Sequence, residues 1–295
     1  MKRFCGIFTP IVTPFGADGA FDEAAMRRNV RHWMGTSLTG LVVLGSNGEA
    51  AQLDDVEADR VIAAVRDNVP TGRPLLAGTG RESTAATIAA TARAAALGVD
   101  AVLVRTPAFF KPQMTTEVFV RHYTAVADAS PVPVLLYNVS MFTGVNIGAD
   151  AVARLATHRN IVGMKESGSD MGLISEYVNR TPDDFTVLAG SATTFMHALC
   201  AGADGAILAL AALVPDDLHR LMALVQAGQL DDARALQRRL LPLARAVGTT
   251  YGVAGLKAAL DLLGLAGGSP RLPLLPAPVD AVATIRTHMS ALGLV

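Results

Sequence analysis

Among 25 Lys and Arg residues, lysine stands only at Lys2, Lys111, Lys165 and Lys257. Lys165 ends the apolar run Asn160-Ile161-Val162-Gly163-Met164-Lys165. It precedes Glu166-Ser167-Gly168-Ser169-Asp170, the kind of turn-and-cap sequence that closes a strand and opens a helix. The amine is therefore expected at the carboxyl end of a buried strand. Removal from water disfavours an ammonium, and a neutral amine can attack a carbonyl carbon to form a Schiff base. The competing expectation is a buried stem whose head snorkels to solvent or pairs with Glu166. Two more windows bring polar groups to strand ends. In Gly45-Ser46-Asn47-Gly48-Glu49 the glycines let backbone approach a ligand, while Ser46 and Asn47 add hydroxyl and amide donors. That loop suits a carboxylate, although the same residue types make ordinary tight turns. The run Pro133-Val134-Leu135-Leu136-Tyr137-Asn138 delivers a phenol next door to Lys165. Its hydroxyl can relay the proton of a carbinolamine and take the hydroxyl proton that starts a retro-aldol cleavage. Alternatively, its ring packs and its hydroxyl bonds to backbone.

These residues must be positioned by the elements around them. Short apolar runs alternate with Ala- and Arg-rich stretches of helical periodicity, giving eight strand candidates from Gly6 to Thr9 through Gly205 to Leu208. Helices are expected to begin near Asp22, Asp54, Ser83, Thr115, Gly148, Ser169 and Ala192. Ser83 and Ser169 are read as N-caps, Gly98 and Gly202 as stops. Strict βα alternation without an internal linker predicts an α/β fold, a (β/α)8 TIM barrel over residues 1–214. Residues 215–295 read as a C-terminal helical extension packed on the barrel, with Gly228, Gly248 and Gly264 as punctuation and a last helix from Val279. Active sites in such barrels gather at the carboxyl ends of the strands, where Lys165, Tyr137 and the Gly45 to Glu49 loop all fall.

The composition narrows the function class. With 17% charged residues and a net charge of -1, the chain lacks the basic excess that nucleic acid or an anionic membrane would require. Cys5 and Cys200 are far apart in sequence and read as buried thiols in a reducing compartment, with no metal-ligand spacing. Thr9-Pro10 and Thr13-Pro14 interrupt the first apolar stretch before it reaches the length of a signal core, so a cytoplasmic location is expected.

The chain resembles the dihydrodipicolinate synthase and N-acetylneuraminate lyase superfamily of pyruvate-dependent Schiff-base barrels. The likeness rests on Thr13-Pro14-Phe15, Gly45 to Glu49, Thr106-Pro107, Tyr137-Asn138, Gly163-Met164-Lys165 and Ala189-Gly190-Ser191. Within it, the 4-hydroxy-2-oxoglutarate aldolase branch is most similar, through Leu75-Leu76-Ala77-Gly78, Glu82-Ser83-Thr84, His122-Tyr123-Thr124, Asn160 to Lys165 and Gly255-Leu256-Lys257. The resemblance implies Lys165 as the Schiff-base former and Tyr137 as the proton relay, with Ser46 and Asn47 gripping the carboxylate. It adds Gly45, Gly190, Ile207, Phe142 and Phe110 to the substrate wall and makes Lys257 a residue of the tail. It further implies a homotetramer (dimer of dimers), with no metal and no cofactor beyond the covalent imine on Lys165.

Two departures bear on the substrate. The family's tyrosine pair after Thr-Pro is replaced by Phe109 and Phe110, and Phe142 stands where dihydrodipicolinate synthases hold a carboxylate with arginine. Arg105 either compensates with its cation or pairs outside the barrel. The expected reaction is cleavage of 4-hydroxy-2-oxoglutarate to pyruvate and glyoxylate. The alternatives are dihydrodipicolinate synthesis, a 2-keto-3-deoxy-sugar-acid aldolase or dehydratase, and a non-enzymatic ligand-binding barrel with a decayed relay. A phosphate site is not expected, because the Gly205 to Leu210 region has neither basic residues nor a Gly-rich loop.

Overall fold

The computed structural model describes residues 2–295. Eight parallel strands close into a barrel in sequence order. They are β1 Gly6–Pro10, β2 Gly40–Val43, β3 Leu75–Gly78, β4 Ala101–Arg105, β5 Val134–Asn138, β6 Ile161–Glu166, β7 Thr186–Ala189 and β8 Gly205–Ile207. The outer layer begins with α1 Glu23–Met34, α2 Asp55–Arg66, α3 Thr84–Ala96 and α4 Thr116–Ala129. The short α5 Ser140–Thr143 follows β5, then come α6 Ala149–Leu155, α7 Met171–Arg180 and α8 Phe195–Cys200. Local chemistry sets the helix ends. Asp54 and Glu57 form a capping box on α2, and the Ser83 hydroxyl accepts from Ala86 N–H at the start of α3. Asp170, not the expected Ser169, caps α7, its Oδ1 accepting from Leu173 N–H at 3.1 Å. An Asp one position later competes better because its carboxylate also favours the positive end of the helix.

Helix α9 Pro215–Gln226 follows β8 and packs beside α8 and β1, so it is the outer helix of the eighth βα unit. A boundary at residue 214 therefore parts the last strand from its own helix. The extension beyond it comprises α10 Leu230–Arg245, a π-helical turn at Ala246–Thr250, α11 Gly252–Leu262 and α12 Val279–Ala291. Cys5 and Cys200 are both exposed, contrary to the expectation of buried thiols. One precedes the first strand and the other ends a helix, where no second layer covers them.

The core has two layers. Alternate strand residues such as Phe8, Val42, Leu76, Leu135, Leu188 and Ile207 fill the barrel, while their neighbours face the helices. Strand β6 breaks this alternation. Ile161 packs outward and Val162 against the barrel interior, yet Met164 again packs outward. The pairing register shifts at this point: Val134 faces Ile161, but Leu135 faces Gly163. This β-bulge inserts one residue, and without it Lys165 would follow Ile161 to the outer face. With it, Lys165 lies inside the barrel opposite Tyr137. Gly163 is needed there, because a Cβ would come within 2.5 Å of the Thr186 carbonyl oxygen.

Candidate active site

At the carboxyl ends of the strands a cleft of about 710 Å³, its open mouth included, collects most of the residues singled out from the sequence. Lys165 is 5% and Tyr137 6% exposed, and both line it. Lys165 Nζ donates to Tyr137 Oη at 3.4 Å and lies 4.4 Å from the centre of its ring. Tyr137 Oη is also 3.4 Å from Ser46 Oγ. Amine, phenol and hydroxyl thus form one line of contacts from three strands, along which a proton can pass.

The loop after β2 is unusual backbone. Leu44 and Glu49, both with side chains, adopt positive φ of 56° and 53° on either side of the 3-10 turn Ser46–Gly48. Conformations of this kind cost of order 1–3 kcal/mol each and persist where the surroundings hold them. In return, the turn opens with the N–H groups of Ser46 and Asn47, which no preceding carbonyl of the turn can satisfy. With the Ser46 hydroxyl and the Asn47 amide, they are suited to a carboxylate.

Glu166 does not pair with Lys165. Its carboxylate is buried, accepting from Asn138 Nδ2 at 2.6 Å and from Gly168 N–H, and burial pushes its pKa up. Gly190 and Ile207 line the cleft as expected. A Cβ on Gly190 would overlap Ser167 Oγ and come within 2.9 Å of Lys165 Cε, so only glycine fits beside the amine. Gly45 is buried beneath the loop, its carbonyl accepting from Gly48 N–H, and does not itself line the cleft. Phe142, on α5, lines the mouth with 61% of its surface exposed.

Phe110 is placed elsewhere. It lies edge-on to Phe109 at 5.1 Å, exposed outside the cleft. Glu82 anchors this loop, accepting from Ala108 and Phe109 N–H at 2.8 and 2.9 Å while pairing with Arg105 Nη1 at 2.8 Å. Arg105 is therefore engaged outside the barrel and supplies no cation to the cleft.

Residues passed over in the sequence complete the site. Ser167 and Ser191 add hydroxyls, and Ser167 Oγ is buried without a hydrogen-bond partner. Gly248 and Thr249 reach the mouth from the π-helical turn after α10, so the extension contributes to the wall. Ser167, two residues after Lys165, could have been found by its spacing. The π-helical turn left no such signal. Lys165 is the sole Lys, Arg or His on the lining, and no three His, Cys, Asp or Glu converge to hold a metal ion among the described residues. No helix among them is long and apolar enough to cross a membrane.

A closed parallel barrel with a buried amine, a phenol and a loop suited to a carboxylate at its carboxyl rim has the architecture of a Schiff-base aldolase. Residues 3–292 match the model of the dihydrodipicolinate synthetase family, and the chain belongs to that family. It is accordingly an enzyme of the carbon–carbon lyase class. It is 42% identical over 271 residues to the 4-hydroxy-tetrahydrodipicolinate synthase of Xanthomonas axonopodis pv. citri, covering 92% of this chain and 89% of the relative. Dihydrodipicolinate synthase of Bacillus anthracis superposes with a TM-score of 0.94 at 33% identity, covering 98% of this chain and 99% of that one. The chloride-inhibited enzyme of Acinetobacter baumannii, solved with pyruvate, gives a TM-score of 0.94 at 30% identity over 99% and 100% of the two chains. These relatives carry the synthase name, where the sequence pointed to the 4-hydroxy-2-oxoglutarate aldolase branch.

Proposed function

We propose that this chain makes or breaks a carbon–carbon bond in a 2-oxo acid held as an imine on Lys165, with pyruvate as the three-carbon half. The observation that carries this reading is the contact line Lys165 Nζ, Tyr137 Oη, Ser46 Oγ, at 3.4 Å per step. In the cleavage direction the Nζ lone pair attacks C2, and loss of water from the carbinolamine leaves an iminium. Tyr137 supplies the proton with which the carbinolamine hydroxyl leaves as water; the resulting phenolate then takes the proton of the C4 hydroxyl, and the C3–C4 bond breaks. Its electron pair moves into the iminium to give an enamine, and the aldehyde departs. Protonation at C3 and hydrolysis then return pyruvate and the free amine; condensation is the reverse. The iminium is the electron sink, so the chemistry calls for neither a metal nor an organic cofactor.

Two aldehyde partners have support. Kinship with the synthase relatives ranks condensation to 4-hydroxy-tetrahydrodipicolinate first. The lining favours a second reading, cleavage of 4-hydroxy-2-oxoglutarate. The lining at Phe142 carries no cation for a carboxylate held far from the imine, the Lys111 ammonium lying outside it against Gly144, and an unpaired buried carboxylate is costly to desolvate. Two-carbon glyoxylate would stay near Lys165, within the range of the unpartnered Ser167 hydroxyl.

Borohydride trapping with pyruvate and with 4-hydroxy-2-oxoglutarate, read by peptide mass spectrometry, is the test. A pyruvate-sized adduct on Lys165 from both acids is expected if the longer acid is cleaved. Turnover of pyruvate with aspartate 4-semialdehyde would identify the synthase. No adduct on Lys165 with either acid would refute the reading. The proposal includes a homotetramer, for which Phe109 and Phe110, 80% and 66% exposed, offer apolar contact surface. A solution mass near that of one 30.7 kDa chain would exclude it.

A further inference from the structure

Lys257, a residue of the extension, lies against the carboxylate-binding loop. Its side chain is 1% exposed, and Nζ stands 2.6 Å from Oε1 of Glu49, which is 0% exposed. The same ammonium donates to the carbonyls of Thr13 and Ser269 at 2.9 and 3.0 Å and lies 4.5 Å from the centre of the Phe15 ring. The second Glu49 oxygen accepts from Arg271 N–H at 2.7 Å. The Arg271 guanidinium is itself held by Glu57 at 2.7 Å and by the carbonyls of Gln52 and Gly19. Thr13 closes the circuit, its hydroxyl donating to the Gly48 carbonyl at 2.7 Å.

Glu49 is the left-handed residue that ends the Ser46–Gly48 turn, and its backbone departs from what a side-chain-bearing residue prefers. Everything its carboxylate touches comes from the extension. Lys257 also follows, within the same stretch, the π-helical turn whose Gly248 and Thr249 line the mouth. Carboxylate loop and outer wall are thus fixed to one another through α11.

We propose that Lys257 and Glu49 are positioning residues, by which the C-terminal extension holds the Ser46–Asn47 loop in its carboxylate-binding geometry. The inference rests on the loop gripping pyruvate, as in the function proposed above. A misplacement of about 1 Å there would weaken binding about ten- to a hundredfold while leaving the amine and phenol in place. Because Lys257→Met strands a buried carboxylate, the double variant Glu49→Gln/Lys257→Met is made beside it.

Two readouts are used on the full chain. In borohydride trapping, the pyruvate concentration for half-maximal labelling of Lys165 is expected to rise about tenfold or more in each variant that folds, with the saturated rate within about twofold of the parent. In hydrogen–deuterium exchange, the amides of residues 45–52 are expected to exchange faster in the double variant even where its unfolding temperature matches the parent's. Unchanged half-saturation with unchanged exchange would overturn the inference, as would a loss confined to the saturated rate. A parent enzyme that traps no pyruvate would sink the functional reading instead, and exchange over residues 45–52 would still decide whether the extension holds the loop.

Discussion

His122 makes the packing beneath the active-site rim testable by pH. It lies on α4 at 5% exposure, with Nδ1 2.9 Å from Thr84 Oγ1 and its ring edge-on to Tyr123 at 5.0 Å. Its Nε2 is buried without a partner. Burial, opposed by the nearby Glu82 carboxylate, takes the imidazole from 6.5 down to about 4. The unfolded chain then binds a proton that the native ring refuses, so stability is fully present above the unfolded value and falls with pH through that window. The linkage relation gives a loss of about 2 kcal/mol between about pH 7 and about pH 5, growing to about 3 kcal/mol below about pH 4. Urea unfolding of the parent and of His122→Gln at both pH values is the assay. Carboxylates common to the two proteins cancel in the comparison. The parent should lose about 2 kcal/mol more than the variant over this window. Equal losses would show that the folded ring accepts a proton as readily as the unfolded one, and the burial reasoning would fail.

Three further outcomes follow from the site. Tyr137→Phe removes the middle of the proton line, so kcat should fall about 10²- to 10⁴-fold while Lys165 still traps pyruvate; an unchanged kcat would remove Tyr137 from the relay. Gly190→Ala places a methyl within 2.9 Å of Lys165 Cε and against Ser167, so trapping should be lost while far-ultraviolet circular dichroism stays close to the parent's and the unfolding midpoint falls as overpacking requires. Retained trapping would show that the amine has room the geometry denies. Gly163→Ala presses on Thr186 at the bulge and should cost about 1–3 kcal/mol of thermal stability, as overpacking does, with slower labelling of Lys165. Parent-like labelling would mean that the bulge does not aim the amine.

What could be read in advance divides along the range of the forces involved. Strand and helix order follows from local hydrophobic period and capping chemistry, and the closed barrel follows from strict βα alternation. Lys165 and Tyr137 were legible because each ends an apolar run, and barrel topology brings such ends to one rim. Which way Lys165 faces was not legible from the run alone. Strict alternation counted from Ile161 sends it outward, and only the extra residue at the bulge reverses that. Phe110 lies outside the cleft, on a loop whose Ala108 and Phe109 N–H groups are held by Glu82, a charge on another loop that no pattern in the β4 segment reveals. Lys257 read as a tail residue for the same reason. Its partner Glu49 lies 208 positions away, and a buried pair at such separation leaves no periodic trace in either segment. The part of the site hidden from local pattern is therefore the part built from contacts distant in sequence, the Glu49–Lys257 pair beside the Ser46–Gly48 turn and the π-helical turn in the outer wall. Identity of 42% with a named synthase does not by itself fix the partner in this chain, where Phe142 and the unpartnered Ser167 hydroxyl line the cleft.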